Sequence, residues 1–189
     1  MTNHQHFILH KPYGYLSQFI YAKKRNKKLL GELYPFPDGT MAIGRLDEDS
    51  EGLLLLTTDG MMSEIIRSKK IPKEYYAQVD GIINQEAVNQ LKKGVEIGFN
   101  GTRYMTLSCE AKLLPIIPDF PERGKKIRDE RHGPTTWVSI TVNEGKFRQV
   151  RKMTAAVGFP TLRLVRVRIG EIHLNMLNSG EVLVVDKLI

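Results

Sequence analysis

The sequence holds a single cysteine, Cys109, so no disulfide can form within the chain and no group of thiols is available for a structural zinc. That usage fits a reducing, cytoplasmic setting. Long apolar runs are missing as well. Nothing approaches the roughly 18 consecutive apolar residues of a membrane-spanning helix, and the opening MTNHQHFILHKP lacks the basic start and apolar stretch of a secretory signal. The five histidines, His4, His6, His10, His132 and His173, form no metal-ligand pattern with Cys109, so no metal site is expected. Neither GxxxxGK[ST] nor GxGxxG occurs, so no nucleotide cofactor is implied. Acidic residues are the minority charge: 28 Lys and Arg against 21 Asp and Glu leave a net +7. Such a surface attracts a polyanion, either nucleic acid or an anionic membrane.

What is present is enough apolar material for a core: 41% of 189 residues are hydrophobic, which suits one domain over residues 1–189, or two small lobes. Strand-like runs cover 6–10, 41–46, 52–58, 73–80, 104–113, 136–143, 162–169 and 181–185. Helical patterns cover 61–69, 84–93 with Asn84 as N-cap and Gly94 as stop, and 146–157, stopped by Gly158 and Pro160. With short turns such as Asp59-Gly60 and Asp80-Gly81, this predicts an α+β fold with a large, mainly antiparallel sheet, flanking helices and a central cleft. Residues 21–28, with five basic side chains, 34–40, and 115–134, with four prolines, read as loops. Their positive bias suits either solvated surface or contact with RNA.

The densest information lies in GRLDEDSEGLLLLTTDG, residues 44–60. A carboxylate run (Asp47, Glu48, Asp49, Glu51) stands between two apolar strand-like segments, so rigid flanks would hold one acid in place. A polar turn bonded to its own backbone would use the same residues. The segment resembles the catalytic motif of pseudouridine synthases, with its GRLD start and the GLLLLT strand behind it. Three further segments resemble that family in the expected order: HKPYG (10–14), KEYYAQV (73–79) and EGKFRQVRKMTAAVGFPTLRLVRVRIG (144–170). Their forms point to the branch typified by the small-subunit rRNA synthase. Members of that branch often carry an N-terminal RNA-binding module. Only nine residues precede HKPYG here, so the resemblance is to the catalytic domain alone. Ser50 stands where many relatives have Thr, which keeps the hydroxyl.

The resemblance implies a reaction and roles for named residues. The activity is isomerisation of uridine to pseudouridine in ribosomal RNA, with 23S large-subunit rRNA the expected substrate, no cofactor, and a protein working as a monomer. Asp47 is the implied catalytic carboxylate, Tyr75 the aromatic that stacks on the flipped base, and Arg151 the cation paired with Asp47. Arg45, Lys73, Arg148 and Lys152 are assigned to substrate binding, the last two as phosphate contacts, while Lys11, Pro12 and Gly14 buttress the catalytic loop.

Residue chemistry runs beside that resemblance. Moving the base from nitrogen to carbon linkage needs a carboxylate at the ribose, either as nucleophile at the anomeric carbon or as base on the neighbouring proton. Either way Asp47 must be ionised in a site poor in water, and burial opposes that unless a cation offsets it. On a helix over 146–157, Phe147, Val150, Met153 and Val157 share an apolar arc, and Arg148, Arg151 and Lys152 a basic arc beside it. Alternation along 73–79 sends Tyr75, Ala77 and Val79 to one face, where Tyr75 could equally be core. Two other classes use some of these features: a non-catalytic RNA-binding or ribosome-assembly protein on the same fold, and a carboxylate glycosidase. Retention of Asp47, Tyr75 and Arg151 together speaks against the first, and the basic surface against the second.

Overall fold

A computed structural model describes residues 4–23, 26–68, 71–175 and 177–189. In chain order the elements are β1 (His6–Lys11), β2 (Met41–Ala42), β3 (Glu51–Thr57), α1 (Gly60–Ser68), β4 (Lys73–Asp80), α2 (Gln85–Lys93), β5 (Glu96–Phe99), β6 (Thr102–Met105), β7 (Glu110–Leu113), β8 (Thr135–Val142), α3 (Gln149–Ala156), β9 (Thr161–Ile169), β10 (Ile172–His173) and β11 (Val182–Val185). The main sheet runs β11-β1-β3-β9-β4-β8-β7, with β2 added to β3 and β10 to β9, and β5 and β6 form a separate hairpin. Every pairing is antiparallel except β3 with β9, which run parallel over Glu51↔Val165 and Gly52↔Arg166. The α+β class and the largely antiparallel sheet are as the sequence predicts.

The run of four leucines explains why β3 lies at the centre. Leu53 and Leu55 pack with Ile43, Ile66 and Val165 on one face, and Leu54 and Leu56 with Phe7, Leu9 and Leu30 on the other. A strand covered on both faces must be apolar at consecutive positions, and each buried leucine contributes about 1.5–3 kcal/mol relative to exposure. A third cluster joins α2 and α3 to the sheet through Ala77, Val138, Ile140, Leu91, Val150 and Met153. The Asn84 side chain caps α2 by accepting from the Ala87 N–H at 2.9 Å. Cys109 lies beside that helix, its thiol donating to the Leu91 carbonyl at 3.1 Å, and burial pushes the thiol pKa up to about 11.

Several elements depart from the sequence reading. The strand expected over 41–46 stops at Ala42, because Gly44 takes φ +73 and turns the chain into the acidic loop. The strand expected over 104–113 is two, β6 in the small hairpin and β7 at the edge of the main sheet. Asp59-Gly60 is no hairpin turn: the Asp59 carboxylate accepts from Met61 and Met62 N–H and opens α1. Asp80-Gly81 ends β4 and leads toward α2. Helix α3 begins at Gln149, not at residue 146, since Arg148 adopts left-handed φ 53, ψ 33; Phe147 therefore stands exposed before the helix and leaves the expected apolar arc.

The segment 115–134 is also more than a solvated loop. Phe120 packs against Tyr76 and Trp137, with ring centroids 6.1 and 5.7 Å apart, so the segment straps one face of the sheet. Arg128 is ion-paired with Asp80, and the Arg123 guanidinium lies 4.6 Å from the centre of the Tyr13 ring. Among the described residues, no helix is long and apolar enough to cross a membrane.

Candidate active site

The acidic loop between β2 and β3 is gripped from outside by the chain that follows β1. Ser17 fixes Leu46 at both polar backbone atoms, its hydroxyl donating to the Leu46 carbonyl at 2.8 Å and accepting from the Leu46 N–H at 3.0 Å. Next along the loop, the Gly14 N–H donates to the Glu48 carbonyl at 2.8 Å, and the Lys27 ammonium pairs with the Glu48 carboxylate at 2.7 Å. Asp47 lies between these two anchors. A turn closes behind it, the Ser50 N–H donating to the Asp47 carbonyl at 3.0 Å. Lys11 is fully buried under the same loop and donates to the carbonyls of Pro12 and Tyr15 at 2.9 and 2.8 Å. Burial lowers its pKa to about 8, against the pull of Glu51, Asp49 and Asp47.

From the inside the loop meets α3. The Arg148 guanidinium holds Asp49 at both oxygens, 2.8 and 2.9 Å, and reaches Asp47 Oδ2 at 3.3 Å. Arg151 donates from Nη2 to the Asp49 carbonyl at 2.7 Å and the Ser50 hydroxyl at 3.1 Å, and lies 3.6 Å from Asp49 Oδ1. Asp47 is partly buried. Desolvation raises its pKa above the ordinary carboxylate value, Asp49 adds to that, and Arg148, Arg151 and Lys11 pull it back. Asp49 moves the other way: its own desolvation is outweighed by the Arg148 hydrogen bonds and the two guanidinium charges, so its pKa is lowered. Two adjacent carboxylates are thus driven apart. Asp49 is a fixed anion that orients the arginines, and Asp47 is the acid with basicity to spare.

Asp47 faces a cavity of about 550 Å³, large enough for a nucleotide. Tyr75 from β4, Lys73 at the start of that strand, Arg45, Arg148, Phe147 and Arg166 also line it. The Arg166 guanidinium carbon sits 5.9 Å from the centre of the Tyr75 ring. Desolvation lowers the Lys73 pKa, and Arg166 adds to the effect.

A carboxylate, an aromatic plate and several cations around one cavity suit a reaction on an anionic polymer's base and sugar. Residues 5–156 match the family model described as RNA pseudouridylate synthase. The chain belongs to that family. It is 43% identical over 183 residues to the ribosomal large subunit pseudouridine synthase E of Vibrio parahaemolyticus, covering 96% of this chain and 74% of the relative. The synthase of the same name from Xanthomonas axonopodis pv. citri is 41% identical over 172 residues, covering 90% and 88%. Among solved structures, a pseudouridylate synthase crystal structure superposes with a TM-score of 0.75 at 25% identity, covering 98% of this chain and 71% of that one.

Set in this synthase, the residues chosen from sequence divide. Asp47, Tyr75, Arg45, Lys73 and Arg148 meet at the cavity. The ion pair expected between Asp47 and Arg151 is made instead by Arg148, while Arg151 reaches Asp49 and Ser50. The reason is the late start of α3, which swings Arg148 over both carboxylates. Arg148 thereby spends its shortest contacts on Asp49 and Asp47 while still lining the cavity. Lys152 donates to the Gly98 carbonyl at 2.8 Å, away from the cavity lining, and fixes the β5–β6 hairpin against α3. Sequence reasoning missed Ser17, for which a lone serine gives no signal. It also missed Arg166, for which there was one: three arginines interrupt the apolar strand β9, and charge at such positions requires a partner.

Proposed function

We propose that the protein isomerises one uridine of 23S large-subunit rRNA to pseudouridine, acting as a cytoplasmic monomer with Asp47 as the catalytic carboxylate. The observation that carries this reading is the separation of Asp47 from Asp49. Asp49 takes the closest carboxylate contacts of both arginines, and Asp47, 3.3 Å from Arg148, is left partly desolvated at the wall of a nucleotide-sized cavity. Asp47 acts on the ribose, as nucleophile at C1′ or as base toward the C2′ proton, and the geometry serves both. Arg148 directly, and Arg151 through Asp49 and Ser50, favour its ionised form and hold its loop. Tyr75 offers its ring to a base turned out of the RNA stack, and Arg45 and Lys73 meet the flanking phosphates. The relatives named for large-subunit synthase E support the choice of RNA.

The test is chemical mapping of pseudouridine in rRNA from cells with and without the protein, followed by modification of in vitro transcribed 23S rRNA. Asp47→Asn should lower product formation by at least about 1,000-fold while RNA binding and the melting temperature stay near wild type. Product from Asp47→Asn at the normal rate would sink the mechanism, and an unchanged rRNA map in the deletion strain would sink the substrate.

A further inference from the structure

Two of the three arginines of β9 have carboxylate partners. Arg163 grips Glu51 at 2.9 and 2.8 Å, and Arg168 holds Glu74 at 2.8 Å. Arg166, between them in sequence, has none. It is 3% exposed and makes no ion pair among the described residues. Its Nε donates to the Leu53 carbonyl at 2.8 Å, Nη1 lies 3.5 Å from the Tyr75 hydroxyl, and Nη2 is buried with no partner. Arg128 and Arg151 also carry a buried Nε without a partner, but each of those guanidiniums is in an ion pair. A buried guanidinium without a counter-charge is costly to keep. This one lines the cavity that holds Asp47 and Tyr75.

We propose that Arg166 is a catalytic residue that holds the uracil ring while it is detached from the ribose, Nη2 donating to a ring carbonyl oxygen. This rests on the reading that the cavity takes a uridine. The C1′–N1 bond breaks with its electron pair leaving on the base, which becomes a uracil anion with charge on N1, O2 and O4. C1′ is satisfied by the Asp47 carboxylate, or by loss of the C2′ proton to it. The ring turns and C5 bonds to C1′ as the Asp47–C1′ ester bond breaks, or, on the other route, as Asp47 returns the proton to C2′. The C5 proton leaves and N1 takes up a proton, so the net change is isomerisation alone and Asp47 is regenerated. The detached anion needs a cation that stays in reach throughout the turn. Arg148 and Arg151 are committed to Asp47 and Asp49, and Arg45, Arg67, Lys73 and Lys146 at the wall are exposed or only half-buried, so among the described residues the buried cation of the cavity lining without a carboxylate is Arg166. Its tie to Leu53 anchors the guanidinium on the frame of the sheet beside the cavity.

The experiment compares wild type, Arg166→Met and Arg166→Ala in single-turnover pseudouridine formation on transcribed 23S rRNA, with RNA affinity measured across a salt series. Arg166→Met, folded by circular dichroism, should be slower by roughly 100- to 1,000-fold with affinity little changed, as for loss of one preorganised donor. Arg166→Ala should be slowed similarly and regain part of its rate with millimolar guanidinium ion. The proposal is overturned if Arg166→Met turns over near the wild-type rate. It is overturned equally by a loss that tracks weaker binding and a flatter salt dependence, which would make Arg166 a phosphate contact. A third contrary result is an Arg166→Met that does not fold with an Arg166→Ala that guanidinium does not restore, which would leave only the structural tie to Leu53. If wild type forms no pseudouridine on this RNA, the substrate reading fails and takes the proposal with it, a result distinct from the other three.

Discussion

Arg148 occupies the left-handed region, φ 53 and ψ 33, which a residue with a β-carbon enters at some cost. That backbone turn directs the guanidinium onto two carboxylates instead of along the helix. Its effect can be read in pH. In the proposed role for Asp47, product formation needs its carboxylate ionised, so activity should fall on the acid side as pH drops through the Asp47 pKa. Burial and Asp49 raise that pKa, and Arg148, Arg151 and Lys11 lower it. Arg148→Met removes the nearer cation, so the acid limb of the single-turnover profile should move to higher pH. Arg151→Met should move it in the same direction by a smaller amount, its guanidinium being farther from Asp47. A profile that shifts more for Arg151→Met than for Arg148→Met would return the dominant pairing to Arg151.

Among the elements, the junction of β3 and β9 depends on one glycine. Gly52 takes φ +105, and a β-carbon there would fall 2.3 Å from the Arg166 carbonyl oxygen and 2.8 Å from its nitrogen. Backbone cannot yield that far, so Gly52→Ala should destabilise the fold by roughly 2–4 kcal/mol, read from the denaturant midpoint. It should also slow catalysis in the fraction that remains folded, because the strand carrying Arg166 is pushed away. An unchanged midpoint would mean that the parallel pairing is dispensable. The four leucines of β3, the Asn84 cap and the acidic loop were legible because each rests on local composition. The pairing of β6 back onto β5 was written locally too: Asn100 and Gly101 both have positive φ and close the β5–β6 hairpin, the signature of an Asn-Gly turn. The start of α3 and the choice of Arg148 over Arg151 were not legible. A residue in the left-handed region between Phe147 and Gln149 is held there by contacts with Asp47 and Asp49, about a hundred positions earlier in the chain.

At the scale of the whole molecule, the net +7 is partly consumed within the protein. Lys27, Arg128, Arg148, Arg163 and Arg168 all neutralise carboxylates, so their charge says little about a polyanion outside. Of the basic run at 21–28, Lys24 and Arg25 lie outside the described residues. Lys125 and Lys126 stand exposed on the strap over the sheet, with Lys126 only 3.9 Å from Asp129 at its nearest. Changing both to Gln should reduce the slope of log affinity for rRNA against log salt by about 1 to 2 and leave the melting temperature unaltered. Arg128→Gln should do the reverse, lowering stability through loss of the Asp80 pair with little change in the salt slope. If the Lys125 and Lys126 substitutions leave the slope intact, that edge of the strap does not touch RNA.

The single thiol gives the chain a practical asymmetry. With its pKa pushed up to about 11 and its proton held by Leu91, Cys109 is almost wholly protonated at neutral pH. A maleimide should therefore react there roughly a hundredfold more slowly than at an ordinary exposed thiol. A cysteine introduced at an outward position such as Ile116 would then take one fluorophore in good yield without first removing the native residue. The fold thus leaves its own surface open to site-specific reporters, and Trp137, the chain's one tryptophan, supplies a built-in energy donor whose position is already known.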